Sequence, residues 1–291
     1  MTALIQIDEP PPLPARPDTA HKGDFGTVIV AGGCRTMIGA PAFAAGAALR
    51  IGAGRAKLAV PSEILTAALS VEPGATGIAL TGQIENFRHA LDTADGDGQA
   101  VLAVGPGWGN DASHGGQLEV LLAGARRTVL DADGLNALAA RGGPRPNPGP
   151  PLILTPHPGE YRRLAAALVL DEDPIGEECR PAAAAALARA HGAVVVLKGH
   201  RTVVTDGHRL YVNQTGNPAL ATAGSGDVLT GAIAGLWAQS MTPFEAAVLA
   251  TFLHATAADR WAQHYGPRGL TATTLLDYLA PAMQNHACRF P

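Results

Sequence analysis

Short runs of Val, Ile and Leu recur along the chain, apolar at consecutive positions rather than at alternate ones. They predict strands at 27–31 (TVIVA), 56–60 (AKLAV), 100–104 (AVLAV), 127–130 (RTVL), 152–155 (LILT) and 193–197 (AVVVL). Strands without polar alternation belong to a sheet covered on both faces. Between them, Ala-rich segments carry apolar residues at helical spacing and predict helices over 39–53, 115–125, 158–169, 180–191, 227–238 and 244–264. This alternation is that of parallel strands joined by crossover helices. One stretch differs: RTVVTDGHRLYV sets Asp206-Gly207 between two short apolar runs, which reads as a hairpin at one edge of the sheet.

The strongest punctuation is RGGPRPNPGPP at 141–151, where prolines exclude both helix and central strand. Strand and helix patterns continue on either side, so it reads as a surface loop. One α/β domain over 1–291 is the expectation. The composition, 47% hydrophobic and 16% charged, is that of a chain with a substantial core. A net charge of −4 without a basic patch speaks against nucleic acid as a partner. No apolar stretch free of glycine, proline or charge reaches a membrane span, and the N-terminus lacks the pattern of a signal peptide. Cys34, Cys179 and Cys288 are widely spaced and match no metal-ligand spacing, which predicts reduced thiols in a cytoplasmic protein.

Ligands of open α/β sheets gather at the C-terminal strand ends. VIVAGG, LAVGPGWG, VLDADG, LTPHPGE and VVLKGHRT each place glycine or polar residues directly after a predicted strand, so together they predict a cleft along one sheet edge. In NPALATAGSGDVLTG, Ala223, Gly224, Ser225 and Gly226 can present backbone N–H groups at the start of a helix, an anion site reinforced by the helix dipole. Asp227 follows directly. Its side chain is either the helix cap or a general base for a hydroxyl attacking a phosphoryl group. Neither GxxxxGK[ST] nor GxGxxG is present.

Seven motifs in one order, HKGDFGTVIVAGG, GAPAFAAGAALRIGAG, GPGWG, DADGLNAL, TPHPGE, KGHRT and NPALATAGSGDVLTG, closely resemble the ADP- or ATP-dependent NAD(P)H-hydrate dehydratases. The resemblance runs from about Leu13 to Pro281. It implies a ribokinase-like fold, three layers α/β/α around a mostly parallel sheet. It implies repair of hydrated NADH or NADPH at the expense of a nucleotide phosphate bond, with ADP (or ATP) as donor and Mg2+ as companion. Asp227 would be the catalytic base and a substrate contact. Lys198, Gly199, His200, Arg201 and Thr202, with Ala223, Gly224, Ser225 and Gly226, would hold the nucleotide. Ala40, Gly107 and His157 would contact the hydrate.

Each of these positions also has a plain structural reading. Lys198-Gly199 fits a strand-end lysine and a turn, Gly107 and Ala40 fit tight packing, and His157 fits a loop between two prolines. Asp131, Asp133 and Asn136 could order water or magnesium near phosphates, and capping of the next helix serves Asp133 equally. Metal ligands are not assigned. The family often carries a fused epimerase domain for which 291 residues leave no room, so a separate epimerase is expected. A homotetramer is implied by resemblance alone. In GLTATTLLDYL, Thr273 and Thr274 stand where the family usually has an acid, a change read as helix capping. The chief rival is a small-molecule kinase of the same fold, of hydroxyethylthiazole or hydroxymethylpyrimidine type. A nucleotide-binding sensor without catalysis is the other, and it would lack the base that Asp227 supplies.

Overall fold

The computed structural model describes residues 4–82, 84–109, 113–124, 126–144 and 149–288. Ten strands form one sheet: β1 (Ile5–Ile7), β2 (Thr27–Ala31), β3 (Arg55–Pro61), β4 (Thr76–Leu80), β5 (Val101–Val104), β6 (Arg127–Leu130), β7 (Leu152–Leu154), β8 (Val194–Leu197), β9 (Val203–Thr205) and β10 (Arg209–Val212). Their order is β1-β10-β9-β8-β7-β6-β5-β2-β3-β4. Only β9 runs antiparallel to its neighbours, so β2, β5, β6, β7 and β8 all end on one edge. β5, β7 and β8 are buried at every position, as their unbroken apolar sequences require.

Among the described residues ten α-helices cover the two faces. One face carries α1 (Gly39–Arg50), α2 (Leu65–Val71), α8 (Ser225–Ala238), α9 (Pro243–Tyr265) and α10 (Ala272–Ala287). The other carries α3 (Ile84–Ala94), α4 (His114–Ala123), α5 (Ala132–Arg141), α6 (Pro158–Leu168) and α7 (Arg180–His191). The tightest helix pair is α1 with α8, where small residues let backbones approach. A Cβ built on Gly231 would lie 1.9 Å from the Ala44 carbonyl oxygen, and one on Gly235 would lie 2.9 Å from that of Ala48. This contact holds α8 closely against α1.

The six expected strands and six expected helices are all present, with ends shifted by a few residues. β1, β4, α2 and α3 were not among them, nor were α5 and α10 as assigned segments. The hairpin of β9 and β10 turns at Asp206-Gly207, with Gly207 at φ +89°, but it does not form the edge. β1 pairs in parallel outside β10, hydrogen-bonding the last exposed strand. Residues 145–148 of the expected loop at 141–151, and residue 125 of the expected helix over 115–125, lie outside the described residues. Thr271, not Thr273 or Thr274, is the cap of α10. Its side chain accepts from the Thr274 backbone N–H at 3.2 Å. The three cysteines are free thiols. Among the described residues no helix is long and apolar enough to cross a membrane.

Candidate active site

The chain runs outward through β2, β3 and β4, then returns to the other side of β2 as β5. That reversal opens a crevice at the strand ends. Gly32 and Gly33 on one side meet Pro106 on the other. The Gly33 N–H donates to the Pro106 carbonyl at 2.9 Å, and a Cβ on Gly32 would lie 2.2 Å from the same oxygen. Gly107, at φ +62°, then turns against the start of α1, where an added Cβ would lie 2.9 Å from that of Ala40. The two predicted substrate contacts from distant segments are therefore neighbours.

α8 begins two residues earlier than the sequence suggests. Its cap is Gly224, at φ +86°, and no side chain caps it. The reading of Asp227 as a helix cap is thereby corrected, because Asp227 sits in the first turn with the cap position already occupied by backbone. Gly224 is packed against Ala272 and Phe43, so a Cβ there would lie 2.7 Å from that of Ala272. The turn is braced from below. The Ser225 hydroxyl donates to the carbonyls of Leu220 (2.8 Å) and Thr222 (3.0 Å), and His254 Nε2 donates to the Ser225 carbonyl at 2.9 Å. That bond assigns the Nε2–H tautomer. Burial holds His254 down to about 4, so the ring is neutral. Among the described residues the N–H groups of Gly226 and Asp227 have no backbone acceptor, as the first turn of a helix leaves them. Gly226 faces Lys198 across open space: a Cβ would be 3.5 Å from Lys198 Nζ and 3.8 Å from Asp131 Oδ2.

Lys198, just past β8, donates to Asp131 Oδ1 at 2.6 Å and lies 3.8 Å from Glu160 Oε2. Burial alone would pull its pKa down, but Asp131 and then Glu160 outweigh it and leave the ammonium firmly charged. The other oxygen of Asp131 accepts from the Thr230 hydroxyl at 2.7 Å, one helical turn from Asp227. Asp131 thus ties β6, β8 and α8 together. Asp227 is half-buried, and its carboxyl is pushed from 3.8 to about 7, first by burial and then by Asp131, against the opposing pull of Lys198. Asp133 and Glu160 add to the rise. A carboxylate poised near neutrality beside a fixed cation and a row of backbone donors can accept a proton from an attacking hydroxyl and hold a phosphoryl group.

His157 caps α6. Its Nδ1 accepts from the N–H groups of Gly159 (2.9 Å) and Glu160 (3.3 Å), while Glu160 Oε2 accepts from the His157 N–H at 2.8 Å. This capping box fixes the ring, whose Nε2 lies 3.4 Å from Glu160 Oε1, with half of the side chain exposed. Gly199, at φ +147°, follows Lys198, and Thr202 closes the turn by donating from its hydroxyl to the Gly199 carbonyl at 3.0 Å. His200 is exposed, and the Arg201 guanidinium is engaged by Glu177 at 2.6 Å. Ala223 is exposed at the lip of the turn.

The acids after β6 are more committed than the sequence suggests. Asp133 accepts from the Gly109 N–H (2.8 Å) and from Asn136 Nδ2 (3.1 Å). It therefore neither caps α5, whose N-cap is Asp131, nor stands as an open ligand pair. No group of three or more His, Cys, Asp or Glu side chains placed to hold a metal occurs among the described residues. Sequence reasoning missed His254, Thr230 and Arg180. The buried Arg180 guanidinium donates to the carbonyls of Leu197 (2.7 Å) and Pro174 (2.9 Å) and underlies Gly199. A lone arginine opening the Ala-rich run of α7 was the available signal.

A three-layer α/β/α sheet whose parallel strand ends meet a glycine-capped helix, a charged lysine and a carboxyl near neutrality defines a ribokinase-like protein. Within that class the chain belongs to the NAD(P)H-hydrate dehydratase family, whose sequence model matches residues 28–281. It is 38% identical over 284 residues to the ADP-dependent (S)-NAD(P)H-hydrate dehydratase of Neisseria meningitidis serogroup B, covering 92% of this chain and 87% of that protein. It is 40% identical over 289 residues to the bifunctional NAD(P)H-hydrate repair enzyme Nnr of Moorella thermoacetica, covering 94% of this chain. The chain spans about half the length of that bifunctional relative, 52%. Among solved structures, the ADP/ATP-dependent NAD(P)H-hydrate dehydratase of Bacillus subtilis, co-crystallised with ATP and Mg2+, superposes with a TM-score of 0.79 at 30% identity. That match covers 94% of this chain and 95% of that one.

Proposed function

We propose that this protein is an ADP-dependent (S)-NAD(P)H-hydrate dehydratase, and the observation that carries the reading is Asp227 placed beside the open face of Gly226 and Lys198. The nucleotide lies along Lys198–Thr202 with its terminal phosphoryl group against the N–H groups of the α8 turn and Lys198. The hydrate lies across Ala40, Gly107 and His157 with its ring hydroxyl toward Asp227. The Asp227 carboxylate accepts the hydroxyl proton, and the oxygen attacks the terminal phosphorus as the bond to AMP breaks. Phosphate then departs with the carbon–oxygen bonding pair while the neighbouring ring carbon loses a proton, restoring the dihydropyridine. The products are NAD(P)H, AMP and phosphate. Magnesium brought by the nucleotide would neutralise phosphate charge during the transfer.

A small-molecule kinase would share the anion turn and the base. The dehydratase reading is favoured because the family match extends through TPHPGE and KGHRT as well as the turn. Family resemblance further supports a cytoplasmic homotetramer and epimerisation of the hydrate by a domain or chain outside these 291 residues. The test is recovery of absorbance at 340 nm from chemically hydrated NADH with magnesium and ADP or ATP. Recovery with ADP, accompanied by AMP and phosphate, carries the reading. No recovery with either nucleotide from folded protein turns it to the kinase. Light scattering of the same preparation reads the oligomer.

A further inference from the structure

Beside the site lies a cavity of about 830 Å3 that the mechanism above leaves unused. Its walls include His114, Glu119, Asp133, Asn136, Arg141 and Arg163. Its wall shares Asp133 with the site's surroundings: Asp133 holds Gly109, two residues beyond Gly107, and is close enough to act on the Asp227 carboxyl. Its size falls in the range of small-molecule sites, roughly 300–1,000 Å3. The nucleotide donor occupies the Lys198–Thr202 side of Asp227, so the long remainder of a dinucleotide whose ring reaches Asp227 runs the other way.

A chain of hydrogen bonds leads into this cavity. Asp133 Oδ1 accepts from Asn136 Nδ2 at 3.1 Å, and Asn136 Oδ1 accepts from Arg163 Nε at 2.8 Å. The Arg163 fork is thereby aimed by its Nε edge, and among the described residues no carboxylate pairs with its guanidinium. The two acids of the cavity are already answered: Glu119 accepts from Arg141 Nε at 2.7 Å, and Asp133 accepts from Gly109 and Asn136. His114, stacked on Trp108 with centroids 4.3 Å apart, supplies a flat wall. A planar fork held by its Nε edge at the wall of a cavity suits a phosphate dianion better than a neutral hydroxyl.

We infer that this cavity takes the adenylate half of the dinucleotide, and that Arg163, positioned by Asn136 and Asp133, recognises the ribose 2′-phosphate that distinguishes NADPH hydrate from NADH hydrate. The inference rests on the dehydratase reading for its substrate, and the test separates the two. Kd for NADPH and NADH is measured by dihydronicotinamide fluorescence with AMP saturating the donor side, followed by kcat/KM on both hydrates. Wild type binds NADPH more tightly, with a preference that weakens as salt rises. Arg163→Ala loses about 10- to 100-fold on the phosphorylated ligand and little on the other, as removal of a charge-assisted contact does. Arg163→Lys recovers part of the preference, and Arg162→Ala, an equally exposed neighbour that does not line the cavity, leaves it intact. Equal affinities in wild type, or equal losses for both ligands in Arg163→Ala, overturn the inference. Failure of the dehydratase reading shows differently, as wild type that turns over neither hydrate, while the binding ratio still judges Arg163.

Discussion

Replacing Asp227 by Asn separates the catalytic reading from a structural one, because the two predict opposite changes in stability. The carboxyl is held at about 7 in the folded protein against an ordinary 3.8. Its ionisation therefore costs stability: the folded state keeps a proton that the unfolded chain has lost. The stability linked to that proton is fully present below pH 3.8, is lost as pH rises through 7, and is absent above it. At 1.36 kcal/mol per pH unit the full shift sets a ceiling of about 4 kcal/mol. Solvent access to a half-buried group reduces this to on the order of 1–2 kcal/mol. Asp227→Asn removes the penalty, so at pH 8 it melts about 2–4 °C higher than wild type, and the difference closes toward pH 4. Turnover of the hydrate falls roughly 10²- to 10⁴-fold with loss of the base. Nucleotide affinity holds or improves, since a negative charge leaves the phosphate site. Calorimetry across pH 4 to 8 and 340 nm kinetics make the two measurements. A lower melting temperature at pH 8, or kcat within threefold of wild type, would refute the reasoning.

His254 carries the opposite sign. Its pKa of about 4 lies below the ordinary 6.5, so its stabilising neutral form is fully present above pH 6.5 and is lost as pH falls through 4. His254→Gln loses less stability on acidification than wild type, by about 2 kcal/mol at pH 5, and raises the nucleotide KM because the brace on Ser225 is weakened; urea midpoints against pH check the first and kinetics the second. Gly226→Ala leaves stability unchanged or up to about 1 kcal/mol higher, because its methyl meets nothing closer than 3.5 Å, yet it raises the nucleotide KM tenfold or more by occupying the gap before Lys198. If denaturation and KM move together, the gap is structural. Gly231→Ala forces a methyl to 1.9 Å from the Ala44 carbonyl oxygen and costs about 3 kcal/mol or more, readable as a loss of melting temperature with nucleotide affinity per folded molecule unchanged.

The local grammar of the chain was sufficient for the strands of the covered sheet. TVIVA, AVLAV and AVVVL are apolar on both faces because helices pack on both, and such runs have no other stable place. The glycines after those strands located the cleft, and the ordered motifs identified the family. Edge strands escaped for the converse reason. IQI and TGIAL are half-exposed, so burial imposes no apolar run on them, and α3 commits only Phe87 and Leu91 to the core. Tertiary structure alone decided what Asp227 is. Its neutral pKa depends on Asp131, which is tied to Lys198 across 67 residues and to Thr230 across 99, and its turn is braced by His254 across 29. A sequence fixes which groups are available and which local shapes they favour. The protonation state of a carboxyl depends on burial and on charges within a few ångströms, and those distances exist only once the sheet has brought its strand ends together.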